Sequence, residues 1–170
     1  LFCTVLTPFT AARGQEVEYA KLRETLALQT TPIGGIITPG APVALMSINK
    51  IGVHDLVVTE GTASGDLQTG PGHRRDTAMP GQAGVSVIYG RGALYGGYFG
   101  RIGELTAGDI ITVTTGQGPF TFVVSDVRRV NDPLPQPLGV GGSRLTLVTS
   151  DGDGALGLWA PSGVLYVDAL

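Results

Sequence analysis

The chain has 170 residues, with 14 Asp and Glu against 11 Lys and Arg for a formal net charge of -3, and only 15% of its residues are charged. That length makes one domain whose core needs no disulfide staple, and the acidic balance excludes a general nucleic-acid binder, which needs clustered Lys and Arg to neutralise phosphates. With 27 glycines and a mean hydropathy of +0.24, disorder is excluded and a β-rich domain with many tight turns is favoured.

At the N-terminus, Leu1 to Phe9 is apolar and holds the single cysteine, Cys3, so there is no intramolecular disulfide and no cysteine pair with metal-ligand spacing. The stretch is too short to cross a bilayer, which takes about 20 apolar residues. It reads either as the trimmed end of a membrane anchor or as a buried first strand or turn. Residues 1–14 are therefore set apart as a leader and 15–170 as the folded domain. Between Thr10 and Gln29, charged residues interleave with Val17, Tyr19, Leu22 and Leu26; the spacing of Tyr19, Leu22 and Leu26 predicts one amphipathic helix. Thr30-Thr31-Pro32 ends it.

The remainder reads as strands: Ala41 to Ile48, Leu56 to Glu60, Ser86 to Tyr89, Asp109 to Thr115, Phe120 to Val130, Arg144 to Ser150 and Val164 to Leu170. They are short, rich in Val, Ile and Thr, and separated by Gly and Pro turns, which predicts a sandwich or closed barrel. Thr115-Gly116-Gln117-Gly118 predicts a hairpin. Phe99 to Leu105 predicts a short helical turn, and Pro133-Leu134-Pro135-Gln136-Pro137 one rigid loop.

Chemistry-bearing residues are few. His54, in a Gly52-Val53-His54-Asp55 turn, and His73, in Gly70-Pro71-Gly72-His73, are the only histidines. Both read as loop histidines rather than metal ligands. Asp151-Gly152-Asp153-Gly154 echoes the start of a calcium loop, but position 162 is Ser162 rather than the acid such a loop requires, so it reads as a turn. No metal and no cofactor is expected.

Longer motifs carry a resemblance. Gly61-Thr62, Leu67, Gly70-Pro71-Gly72-His73, Thr77-Ala78-Met79-Pro80-Gly81-Gln82 and Gly84 lead into an apolar strand that ends Tyr89-Gly90-Arg91-Gly92. Phe99-Gly100-Arg101-Ile102, Leu105 and Gly108-Asp109-Ile110 follow, and later Thr146-Leu147-Val148-Thr149-Ser150. From about Glu16 onward the chain resembles the sortases, closest to their actinobacterial classes E and D. The resemblance implies an all-β fold, a closed barrel of about eight strands with the Glu16 to Gln29 helix packed outside. It also implies that Arg91 stands at the family's histidine, Ser150 at its cysteine, and Val164 at the arginine of the last strand.

A sortase attacks a peptide carbonyl with a thiolate, protonates the leaving amine with an imidazole, and uses a guanidinium to stabilise the oxyanion or hold the substrate. Serine needs an adjacent general base, and Arg91, always protonated, cannot be one. Three readings stay open. In the first, the domain lacks transpeptidase chemistry and binds an extended peptide or envelope protein along the remnant groove, with Arg91, Ser150, Tyr89, Tyr95, Trp159 and His73 as candidate groove residues. Arg91 is then either a fixed charge for a carboxylate or carbonyl, or an arginine paired with a neighbouring acid. In the second, Ser150 is the nucleophile of a divergent transpeptidase or peptidase with His73 as base; Asp151, adjacent on the strand, points to the other face and is a poor orienter. In the third the domain is purely structural, and its groove is filled. The resemblance places the protein outside the cytoplasmic membrane, at the envelope of a Gram-positive cell, tethered by a helix preceding Leu1.

Overall fold

Among the described residues one α-helix, α1 (Thr7–Ala27), precedes eight strands: β1 (Pro42–Ile48), β2 (Val53–Glu60), β3 (Gly72–His73), β4 (Gly84–Tyr89), β5 (Ile110–Thr115), β6 (Gly118–Arg129), β7 (Ser143–Asp151) and β8 (Gly163–Ala169). The computed structural model describes residues 7–27, 37–92, 97–151 and 163–170. The strands close into a barrel in the order β1-β2-β3-β4-β7-β8-β6-β5. Neighbours run antiparallel except β2 with β3 and β4 with β7. Alternation fixes which side chains go inside: Ile111 and Val113 of β5, Leu145 and Leu147 of β7, and Leu165, Val167 and Ala169 of β8 fill the barrel, while the residues between them face outward. Each large aliphatic side chain buried there contributes about 1.5–3 kcal/mol.

The all-β expectation and the hairpin hold, with Thr115 paired to Gly118 across the turn, and a short 3-10 turn at Ile102–Glu104 falls inside the predicted helical stretch. Three details differ. The two-residue strand β3, too short to show a period, lies inside what reads as a Gly-Pro-Gly turn and closes the barrel between β2 and β4. His54 lies within β2 rather than in a turn, because the chain reverses earlier, at Asn49–Ile51, and Gly52 takes a positive φ of 71°. The helix begins at Thr7, so it runs through residue 14, and its buried face is not the predicted one: Leu22 is buried but Tyr19 is 38% exposed. The predicted helix end at Thr30-Thr31-Pro32 lies outside the described residues.

What α1 turns toward the barrel is largely polar. Because β3 pairs only with Thr59 and Glu60, Val57 has no strand partner on that side of β2, and Gln15 supplies one. Its Oε1 accepts the Val57 N–H at 2.8 Å, and its Nε2 donates to the carbonyls of Val57 at 3.1 Å and Thr69 at 2.8 Å. Gly14 lets the helix come this close, since a Cβ there would lie 2.7 Å from Thr69 Cγ2. Among the described residues no helix is long and apolar enough to cross a membrane.

Candidate functional site

Strands β4 and β7 run parallel and end side by side, with Tyr89 level with Val148. The Gly90 N–H donates to the Val148 carbonyl at 3.0 Å, and the buried Thr149 hydroxyl donates to the Gly90 carbonyl at 2.9 Å. Alternation turns the next residue, Ser150, outward into solvent. On the other flank the β7–β8 register sets Val164 directly opposite Ser150. The three positions singled out by sequence, Arg91, Ser150 and Val164, thus meet at one end of the outer face.

The Arg91 guanidinium turns away from Ser150. Its Nε donates to the Leu67 carbonyl at 3.2 Å, and its Nη2 to the Ser64 carbonyl at 3.2 Å and hydroxyl at 3.0 Å. Through these bonds to a hydroxyl and two carbonyls it clasps the segment between β2 and β3. The main chain beyond it closes on the serine: a Cβ at Gly92 would lie 3.2 Å from Thr149 Oγ1 and 3.4 Å from Ser150 Oγ. Phe99 is fully buried in the core, packed so tightly against Gly90 that no side chain fits there.

Neither histidine reaches Ser150. His73 shares the inward face of the barrel with Ile88, its register partner. Its Nδ1 lies 2.8 Å from Glu60 Oε2 and its Nε2 2.9 Å from the Ala78 carbonyl, with Thr77 Oγ1 at 3.2 Å. A carbonyl only accepts, so Nε2 carries a proton, and the buried carboxylate takes up Nδ1. The ring ties β2 to the turn that precedes β4. His54 is on β2, and β3 and β4 stand between it and β7.

Tyr89 faces outward on β4, half-buried. Beside it Arg74 makes a two-bonded ion pair with Asp76, at 2.7 and 2.9 Å, and that acid, with Tyr89 behind it, holds the guanidinium above its ordinary range. Both flank an open cleft of about 390 Å³ lined also by Thr62, Asp66 and Arg75. Tyr95, Trp159, Cys3 and Asp153 lie outside the described residues, as does the side chain of Asp151. Among the described residues no three His, Cys, Asp or Glu are grouped to hold a metal ion.

Sequence reasoning missed the charged cluster on the outer face of β6, β7 and β8. Asp168 is fully buried, accepting the Thr146 hydroxyl at 2.7 Å and Arg128 Nε at 2.6 Å, and the Arg128 guanidinium carbon sits 4.3 Å from the Tyr166 ring centroid. A lone acid inside the apolar run Val164 to Leu170 was the available signal, because a charge there demands a partner. The loop after β6 is held over the same face by a hydrogen bond from Arg144 to the Gln136 carbonyl.

Chemically, the site offers a solvent-exposed hydroxyl with an aliphatic neighbour and no proton acceptor among the described residues. The profile described as "Sortase domain" matches residues 46–153. Sortase D of Bacillus subtilis (strain 168) is 32% identical over 92 residues, 54% of this chain and 44% of that protein, so the match spans less than half the curated relative. Among solved structures, a Sortase D5 transpeptidase of Clostridium perfringens superposes with a TM-score of 0.73 at 25% identity over 92% of this chain and 97% of that one. Sortase E from Streptomyces avermitilis gives 0.64 at 31% identity, covering 78% and 89%.

Proposed function

The chain belongs to the sortase family, and on that footing we propose that it is a sortase-fold domain of the cell envelope without transpeptidase chemistry, which holds an extended peptide or an envelope protein on the outer face of β4, β7 and β8. The observation that carries this reading is the surroundings of Ser150. A serine nucleophile needs a base within about 2.6–3.2 Å, and both histidines of the chain are placed elsewhere, His73 with both ring nitrogens engaged inside the barrel. Arg91 is engaged with Ser64 and Leu67, and Val164 brings no charge to the position opposite the serine.

The face itself supports peptide binding. Tyr89, Val148 and Tyr166 lie side by side across three strands; the two tyrosines are half-buried, with Val148 covered between them at 3% exposure, an aromatic surface of the kind extended peptides use. The Arg91 clasp fixes one border, and the Arg144 contact to Gln136 fixes another. Tyr95 and Trp159 belong to this reading as further aromatic walls. An envelope location, with a membrane anchor ahead of Leu1, is part of the proposal by family membership.

The test is turnover. The purified domain and its Ser150→Ala variant are incubated with an internally quenched peptide library, and the intact proteins are weighed by mass spectrometry for an acyl adduct. Equal background cleavage and no adduct are expected. Cleavage by the wild type that disappears in Ser150→Ala would establish the serine-enzyme alternative instead.

A further inference from the structure

We propose that Arg128, delivered from β6, is the peptide-reading guanidinium of this face: its unspent N–H edge binds a main-chain carbonyl of the peptide held along β7 and β8, an inference that rests on the binding reading above. Arg128 is register-paired with Tyr166, stacks on that ring at 4.3 Å, and gives its Nε to Asp168. The side chain therefore leans from β6 across β8 toward β7. Its side chain is 13% exposed, so it is held almost entirely by protein. An arginine fixed in this way loses little further entropy when it binds.

Of the five N–H donors of a guanidinium, only Nε donates a hydrogen bond, and among the described residues the Nη groups have no partner. On the β7 side of Tyr166 the outward residues are Val148 and, next along β8, Val164, neither of which competes for those donors, while the Asp126 carboxylate on β6 accepts the Val127 N–H. The charge balance chooses the ligand group. Asp168 already matches the Arg128 charge, and Asp126, the register partner of Asp168 on β6, adds a second carboxylate. A further full anion would gain little there, whereas a neutral carbonyl needs only the free donors. An extended chain turns a carbonyl to the same side at every second residue, which suits a single fixed fork.

The experiment starts from a random heptapeptide library displayed on phage and panned on the domain. The enriched peptide is synthesised and titrated into the wild type, Arg128→Lys and Val164→Trp. Lysine keeps a cation for Asp168 but has no planar fork, and tryptophan at 164 blocks the face. The expected result is a loss of about tenfold or more in affinity for Arg128→Lys with little change in its thermal midpoint, no binding to Val164→Trp, and peptide-dependent shifts of the Arg128 Nη protons in wild-type NMR spectra. Wild-type affinity in Arg128→Lys with loss in Val164→Trp overturns this proposal and leaves the peptide-binding reading standing. Unmoved Nη signals, or binding that requires an acidic side chain in the peptide, overturn the carbonyl assignment. No enriched peptide, or binding indifferent to Val164→Trp, overturns the peptide-binding reading and this proposal with it.

Discussion

Replacing Gln15 by alanine removes the one side chain that completes the β2 edge. Three hydrogen bonds go with it, to the Val57 N–H, the Val57 carbonyl and the Thr69 carbonyl. Each is worth a net ~0.5–1.5 kcal/mol, and because the groups are only part-buried, water replaces some of what is lost, so a cost of about 2 kcal/mol is expected. For a chain of this size that is a fall of about 4–8 °C in thermal midpoint. The effect must also be local: hydrogen exchange at the Val57 amide should speed up while Leu147, deep in the barrel, stays protected. Gly70→Ala strikes the same contact from the other side, since its Cβ would collide with Gln15 Nε2. The double variant should therefore be less destabilised than the sum of the singles. An unchanged Val57 exchange rate in Gln15→Ala, or full additivity with Gly70→Ala, would refute the role given to this side chain.

Asp168→Ala leaves Arg128 without its anion; removing one partner of a buried pair costs about 3–5 kcal/mol, and because Arg128 retains slight exposure the lower end is expected in urea unfolding. Adding Arg128→Met should then cost little more, and a fully additive loss would count against the pairing. Ser150→Cys, made with Cys3→Ser, should alkylate like a free thiol, its rate rising with pH through about 8.5; fast alkylation in mild acid would reveal an activating base near position 150. Asp109 is held below its ordinary 3.8, first by the Thr106 N–H and then by Lys50. A depressed carboxylate adds stability above its unfolded pKa and loses it as pH falls through the lower folded value. Asp109→Asn should therefore melt below the wild type near neutral pH and converge with it in acid, whereas a gap constant with pH would contradict this.

The strand pattern by itself determined an all-β domain, a sandwich or a barrel, because short Val-, Ile- and Thr-rich runs between Gly and Pro turns can be read without knowledge of partners; closure into a barrel was what the sortase resemblance implied, and the strand order bears it out. The motif runs also singled out Arg91, Ser150 and Val164, and the fold brings Ser150 and Val164 opposite each other on neighbouring strands. The helix was legible as a helix, but its buried face was not: Tyr19 reads as core and is exposed, while Gln15, which no apolar spacing singles out, is bound to the β2 edge. Its partners, Val57 and Thr69, are far away in the chain, and no local pattern encodes an unpaired edge that exists only because β3 is two residues long. Direction was likewise decided by tertiary structure. Whether Arg91 faces Ser150 or Ser64, and whether His73 faces the site or Glu60, depends on which side of a closed sheet each strand presents and on what charge or carbonyl waits there. The pairing of Arg128 with Asp168 joins strands 40 residues apart, and only closure of the barrel brings a buried acid the cation it needs.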